Sequence, residues 1–263
     1  HLMSYETILF EVQAGVATIT LNRPQKLNAF NDQMIDETTA AFKQAGRDKE
    51  IRCVVITGNG RAFSSGQDLS AFTERAHETT IGEHLRHGYH KLIKQMMQLE
   101  KPIIGAINGI AAGAAVGIAL ATDIRIAADS ASFMLAFSKI GLIPDSGVNW
   151  LLPRLIGQAR AYEMAITADQ IPADQALAWG LVNRVVPAGQ LAEIAAAWAG
   201  SLAAGPTLAF GLTKRAMNQA WNTDLSGALE YEALVQEIAG RSYDNQEGVA
   251  AFLEKRAAQF KGE

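Results

Sequence analysis

Apolar positions along the chain follow two rhythms. In the first half, short runs of β-branched and small apolar residues alternate with stretches of helical period. Residues 16–21, VATITL, predict a strand that Asn22, Arg23 and Pro24 end. Residues 32–45 carry Met34, Thr38, Ala41, Phe42 and Ala45 on one helical stripe, with Asn31 as the candidate N-cap. The runs IRCVVIT (51–57), IIGAI (103–107) and DIRIAA (123–128) predict further strands, the first of them covered on both faces. Helices are predicted over 81–99, closed before Pro102, and over the small-residue stretch 112–121. Strands followed by helices up to about residue 130 make an α/β layer pattern.

After that point the pattern changes. Residues 157–167, 173–179, 189–204, 206–221, 226–240 and 245–258 all carry helical periodicity. The breaks fall at Pro172, Gly180, Pro187, Gly189, Gly205, Pro206 and Gly240. The longest β-rich run here is LVNRVV, residues 181–186. A mixed core followed by a helical subdomain is expected. No long polar linker and no fixed-period repeat divides the chain.

Composition narrows the class. A chain of 263 residues with 49% hydrophobic and 19% charged residues buries roughly 73% of its extended surface on folding. That excludes a disordered chain and a small scaffold dependent on disulfides or zinc. The 23 basic residues stand against 27 acidic ones, with no basic block, so a nucleic-acid partner has little support. The single cysteine, Cys53, has no internal partner for a disulfide and reads as a small buried hydrophobe in a reducing compartment. Asn108 interrupts the apolar region from Ile103 to Ala121, and no stretch reaches a membrane-spanning length. His1 is not a natural initiator, so the first residues read as an added leader. A cytoplasmic protein without a membrane partner is the expectation.

Three strings carry candidate chemistry. In FSSGQDL, residues 63–69, Gly66 removes a side chain at a turn and could free the backbone N–H of Gln67 to receive negative charge. Alone, the string is equally an ordinary glycine turn. In NGIAAGAAVG, residues 108–117, Gly109, Gly113 and Gly117 recur every four residues. A helix there packs closely, and its first-turn N–H groups, that of Ala114 included, lack intrahelical partners. Two such amides from two strand-to-helix turns would form an oxyanion hole. In GLIPDSGVNW, residues 141–150, Asp145 sits among Leu142, Ile143, Val148 and Trp150. Desolvation there would make its carboxylate a better base. A helix cap is the competing reading.

Other chemistries find weaker support. His77, His84, His87 and His90 fall in one region, but steps of three drift around a helix, so no three-sided metal site is expected. His90 is the histidine expected to touch a substrate. No G-x-S-x-G, G-x-G-x-x-G or Walker A string occurs, which disfavours a serine hydrolase, a nicotinamide site and a P-loop. Arg23 and Lys26, at the end of the first predicted strand, are candidates for a phosphate clamp, with solvated charge as the alternative.

Taken together, several strings resemble the enoyl-CoA hydratase/isomerase (crotonase) superfamily. They are LNRPQKLNAFN (21–31), AFSSGQDL (62–69), the run from Lys101 to Phe133, GLIPDSGVNWLLPRLIGQARA (141–161), QALAWGLVNRVV (175–186) and EGVAAFLEKRAAQFKG (247–262). The resemblance implies an α/β fold, with a crotonase-type (ClpP/crotonase-like) β-β-α spiral core over residues 1–200. It implies a helical subdomain over 201–263 for trimerisation and closure of the CoA pocket, in homotrimers or hexamers. It also implies an acyl-CoA thioester substrate, with no permanently bound cofactor and no metal. The thioester oxygen would be held by the backbone N–H groups of Gln67 and Ala114. Arg23, Lys26, Leu27, Ser65, Asp68 and Leu69 would lie along the CoA, joined by Phe252 and Lys255, often from a neighbouring subunit. His90, Gly113, Gly117, Phe137, Ile140, Leu142, Pro144 and Trp150 would surround the acyl group.

One departure from the family pattern separates the subclasses. Family hydratases use two glutamates, and the matching positions here are Gly117 and Phe137. Neither can transfer a proton. Asp145 remains, and it matches a carboxylate found in several isomerases of the family. The string from Phe137 to Ala161 resembles the branch that isomerises 2-(1,2-epoxy-1,2-dihydrophenyl)acetyl-CoA and shifts Δ3 double bonds to Δ2. The alternatives are a hydratase with non-standard catalytic residues, a 4-halobenzoyl-CoA dehalogenase-like hydrolase, and a non-catalytic scaffold. Aspartate and histidine positions of the dehalogenases match Asp145 and His90, but those enzymes carry tryptophan where Phe137 stands.

Overall fold

A computed structural model describes residues 5–70 and 79–263. His77 and the first four residues lie outside the described residues. The first two strands, β1 (Ile8–Gln13) and β2 (Val16–Leu21), form a hairpin through Ala14 and Gly15. Both turn residues have positive φ, 49° and 78°, as a tight hairpin turn requires. Helix α1 (Asp32–Arg47) starts where Asn31 caps it: the Asn31 side chain accepts the Met34 N–H at 3.0 Å. The predicted stripe Met34, Thr38, Ala41, Phe42 and Ala45 is its buried face.

Three passages of strand, short strand and helix follow. In the first, β3 (Cys53–Gly58) and β4 (Ala62–Ser64) lead towards α2 (Ile81–His87) and α3 (Tyr89–Gln98). In the second, β5 (Ile103–Ile107) and β6 (Ile110–Ala112) lead into α4 (Ala114–Leu120). In the third, β7 (Ile124–Ala128) and β8 (Ser132–Met134) precede a 3-10 turn at Ala136–Ile140 and then α5 (Val148–Ile156) and α6 (Gln158–Thr167). Next come β9 (Ile171–Pro172), α7 (Ala173–Trp179) and β10 (Arg184–Val186). Four helices end the chain: α8 (Leu191–Ala203), α9 (Thr207–Ala220), α10 (Leu225–Gly240) and α11 (Tyr243–Glu254).

A six-stranded sheet runs in the order β1-β2-β3-β5-β7-β10, and β4-β6-β8-β9 form a second, four-stranded sheet. Among the described residues, only β1–β2 and β8–β9 pair antiparallel. Each passage therefore places one strand in each sheet before its helix, which is the β-β-α spiral expected from the sequence. Every residue of β5 is buried, and α8 packs across β2, β3, β5 and β7, so the central strands read as continuous apolar runs. A boundary at residues 200/201 falls inside α8.

Two predicted elements differ. The helix expected over 81–99 is two helices, because Gly88 turns the chain (φ −106°, ψ −97°); a β-carbon there would lie 3.0 Å from the His84 carbonyl oxygen. The helix expected from residue 112 begins at Ala114. Gly113, at φ 55° and ψ −127°, takes a backbone conformation open mainly to glycine, and the residues before it pair as β6. Asn108 sits between β5 and β6. Its side chain accepts the Gly58 N–H and donates to the Gly60 and Ala62 carbonyls, joining the two strand-to-strand turns.

Candidate active site

The first site element is the segment after β4. Gly66 has φ 90°, and a β-carbon there would lie 2.6 Å from the Ala112 carbonyl oxygen and 3.5 Å from the Ala114 nitrogen. Only a bare α-carbon lets the two turns approach this closely. On the opposite side, Phe30 donates its N–H to the Gly66 carbonyl at 2.7 Å and accepts from the Asp68 N–H at 2.8 Å. In such a parallel bridge the residue between them directs its own N–H away from the partner strand. The Gln67 N–H therefore points away from Phe30, towards the side where Ala114 begins α4. Among the described residues, neither the Gln67 nor the Ala114 N–H has a protein acceptor.

These turns border a cavity of about 140 Å³. Leu69, Ile81, Leu85, Phe137, Ile140 and Leu142 give it apolar walls, and Gly113, Ala114 and Ala136 line it as well. Ser65, Gln67, His84, Tyr89 and Asp145 supply polar groups, of which Asp145 is the one carboxylate among the lining residues.

Asp145 is held by the loop that precedes α5. Ser146 and Gly147 both have positive φ, 52° and 82°, which turns the chain sharply into the helix. Gly147 is the N-cap position, so Asp145 does not cap α5 with its side chain. The Ser146 hydroxyl donates to Asp145 Oδ1 at 2.8 Å. Burial raises the Asp145 carboxyl above the ordinary aspartate value, opposed by the Ser146 hydrogen bond and by the nearby His84 and His90.

Several expected residues stand elsewhere. Trp150 does not line the cavity: its ring meets Trp221 edge-on with centroids 4.6 Å apart, and Arg154 lies 4.2 Å over it. Gly117 has no room to face a substrate, because the Ser146 backbone packs directly on it. Pro144 is buried behind the wall, and its carbonyl accepts from the Asn149 side chain. His90 is exposed on α3 and close enough for its charge to act on Asp145, but it is not part of the lining. Arg23 is not an open phosphate clamp. Its guanidinium pairs with Asp68 at 3.0 Å and donates to the Ala29 carbonyl. Lys26 is exposed beside Leu27, whose carbonyl accepts the Ser65 N–H at 2.9 Å. Phe252 (82% exposed) and Lys255 lie at the end of α11, and neither lines this cavity.

Two polar lining residues escape the sequence-based selection of site residues. The Tyr89 hydroxyl donates to Gln67 Oε1 at 2.8 Å, and His84 Nε2 lies 3.1 Å from the same oxygen. Tyr89 is traceable in the sequence. It begins the buried stripe Tyr89, Leu92, Ile93 and Met96, and a hydroxyl on a buried stripe needs a partner. The break at Gly88, which periodicity across 81–99 hides, puts His90 on a different helix from His84, and His87 on the same helix as His84 is exposed. No group of three or more His, Cys, Asp or Glu that could hold a metal occurs among the described residues. Nor is any single helix among them long and apolar enough to cross a membrane.

Comparison with known proteins agrees with this architecture. The family model described as enoyl-CoA hydratase/isomerase matches residues 11–263. The chain is 47% identical to a 1,2-epoxyphenylacetyl-CoA isomerase of Escherichia coli over 98% of this chain and 99% of that one. It is 44% identical to a protein of Rhodobacter capsulatus named as a probable enoyl-CoA hydratase, covering 99% of this chain and 100% of that one. The crystal structure of an enoyl-CoA hydratase from Bacillus anthracis superposes with a TM-score of 0.90 at 36% identity, over 98% and 100% of the two chains. The chain belongs to the enoyl-CoA hydratase/isomerase (crotonase) superfamily, whose enzymes act on acyl-CoA thioesters.

Proposed function

We propose that this protein is an acyl-CoA isomerase in which Gln67 and Ala114 hold the thioester oxygen and Asp145 moves the proton. The observation that carries the reading is the single carboxylate. Among the described residues, Asp145 is the one acidic group lining an apolar cavity beside two amides without a protein acceptor, and Gly117 and Phe137 stand where the family's hydratases place glutamates.

The chemistry follows from that placement. Negative charge moving onto the thioester oxygen meets two N–H donors, and losing one such donor typically costs about 3–4 kcal/mol. The α-hydrogen of a 3-enoyl thioester becomes acidic as a result. The Asp145 carboxylate takes that proton, the electron pair delocalises onto the oxygen, and the aspartic acid returns the proton at the γ-carbon. A single carboxylate serves both transfers, because nothing is added and nothing leaves. The apolar walls exclude water and fit an alkenyl chain or a ring. The finer substrate we assign is 2-(1,2-epoxy-1,2-dihydrophenyl)acetyl-CoA, with Δ3-Δ2 enoyl-CoA isomerisation as a second activity.

The same reading places the CoA along Lys26, Leu27, Ser65 and Leu69, with the Arg23–Asp68 pair shaping that edge. Phe252 and Lys255 would close the pocket of a neighbouring copy in a trimer or hexamer. The folded chain exposes 13583 Å², against about 11,000 Å² for a compact monomer of this size. Leu225, Leu234, Phe252 and Leu253 are each 60% or more exposed. Both facts support burial of the C-terminal helices against other copies.

A second reading is favoured by the named relatives, among which hydratases outnumber isomerases. In it, Asp145 alone would activate a water for addition to a 2-enoyl thioester. Mass spectrometry, read together with chromatographic separation of the isomers and the ultraviolet absorbance of a conjugated enoyl thioester, separates the two. Incubation with a 3-enoyl-CoA should give a product of unchanged mass with the double bond conjugated, and the epoxide should rearrange without mass change. A 2-enoyl-CoA that gains the mass of one water at a comparable rate would replace the isomerase reading by hydration. Halide release from 4-halobenzoyl-CoA would replace it by dehalogenation.

A further inference from the structure

Helix α2 forms part of the cavity wall through Ile81, His84 and Leu85, yet none of its seven residues is fully buried. Its attachment combines Leu85, packed against the apolar core, with polar contacts. The His84 ring is only 10% exposed and reaches two elements at once. Nε2 lies 3.1 Å from Gln67 Oε1, and Nδ1 lies 3.4 Å from Asp32 Oδ1 in the first turn of α1. Gln67 Oε1 is an acceptor, so the contact is a hydrogen bond in the ring forms that carry a proton on Nε2. Tyr89 supplies a second donor to Gln67 Oε1, at 2.8 Å, and its ring meets the His84 ring edge-on at 5.7 Å. Burial, with Asp145 and Asp32 nearby, holds the Tyr89 hydroxyl well above the ordinary tyrosine range, so it stays protonated and donating. The Gln67 carboxamide is therefore gripped from two helices, and Gln67 is the residue whose backbone N–H faces the cavity.

We propose that His84 is a positioning residue that pins the wall helix α2 to the Gln67 peptide, so that the acyl wall and the first oxyanion donor are held as one unit. The inference rests on the reading that the Gln67 N–H receives the thioester oxygen. A donor that is fixed before reaction stabilises charge as it develops, so the pin acts on kcat more than on KM.

The test is a double-mutant cycle on the full-length protein with a 3-enoyl-CoA, using His84→Ala, Gln67→Ala and the pair. Gln67→Ala keeps the backbone N–H and removes only the gripped carboxamide. Each single variant should lower kcat about tenfold with KM changed less than about twofold. The double variant should fall no more than about twofold below the worse single one, as expected of groups acting as one unit. Losses that multiply to about a hundredfold, an unchanged kcat, or a loss confined to KM would overturn the proposal. If His84→Ala does not fold, Tyr89→Phe takes its place in the cycle, because it deletes one donor without opening a cavity. Its kcat loss should likewise be absorbed by Gln67→Ala, and additive losses would overturn the pin. Asp145→Asn in the same assay separates the two levels. Retained isomerisation in that variant defeats the parent reading, whereas an inactive Asp145→Asn with an additive cycle defeats only the role of His84.

Discussion

Gly117 in α4 lies directly beneath the Ser146 backbone, and a β-carbon on Gly117 would overlap the Ser146 carbonyl oxygen. The loop that presents Asp145 thus occupies the space a side chain at position 117 would need. The bare α-carbon at 117 and the presentation of a carboxylate at 145 are two sides of one packing arrangement. Gly117→Glu is therefore not expected to create a hydratase. Even Gly117→Ala should lower stability by about 1–3 kcal/mol through overpacking. Urea denaturation measures that loss, and kcat should fall with it as Asp145 is displaced. An alanine variant of wild-type stability would mean that the loop does not rest on α4.

The acid limb of the rate profile follows from the direction of the Asp145 shift. The proposed base must be ionised, so activity is present above its pKa and is lost as pH falls through it. Burial raises that value above the ordinary aspartate range, and the Ser146 hydroxyl lowers it in part. Ser146→Ala should move the acid limb of kcat/KM to higher pH while leaving the plateau near its original height. A limb that stays in place would show that the titrating group is not Asp145.

The same shift links function to stability. A carboxyl whose pKa is raised on folding contributes least to stability once pH has risen through its folded value. At neutral pH the buried Asp145 charge is thus a burden on the fold. Asp145→Asn should raise Tm at neutral pH, and the gap should narrow as pH falls towards the ordinary aspartate value, where both states bind the proton. Equal Tm values across that window would contradict the buried placement.

Lys214 on α9 pairs with Asp123 at 3.0 Å, and Asp123 also accepts the Ile103 N–H at 2.8 Å. This pair fastens the C-terminal helices to the central sheet. Lys214→Met removes the cation on α9 but leaves Asp123 its Ile103 hydrogen bond, and should cost about 1 kcal/mol in chemical denaturation. An unchanged stability would show that the pair does not fasten the helix.

Much of this arrangement is legible in the sequence, and the exceptions have physical causes. Strands 16–21 and 103–107 and the helix at 173–179 have the boundaries predicted, because β-branched runs and glycine or proline stops mark them. The split at Gly88 is hidden, because the apolar period resumes on the far side and glycine alone does not announce a turn. β4, β6 and β8 have three residues each, too few for a period to show. In the site, Gly66, Gly113 and Asp145 are marked by local glycine and proline context. Trp150 and His90 do not line the cavity, and proximity in sequence does not say which way a helical side chain points: Trp150 meets Trp221, and His90 is exposed on α3. Arg23 looks like an open cation until Asp68, 45 residues away, is seen to neutralise it.

The central claim is that Asp145 transfers a proton at carbon while the thioester oxygen is held elsewhere. Deuterium placed at the α-carbon of a 3-enoyl-CoA measures that transfer directly. The wild-type protein should conjugate the labelled thioester with kcat lowered by a primary isotope effect and should carry label to the γ-carbon. Asp145→Asn should bind the same thioester with little change in Kd and move no label. Label that still reaches the γ-carbon in Asp145→Asn, or a wild-type protein that binds the thioester and leaves its α-hydrogens in place, would contradict the account.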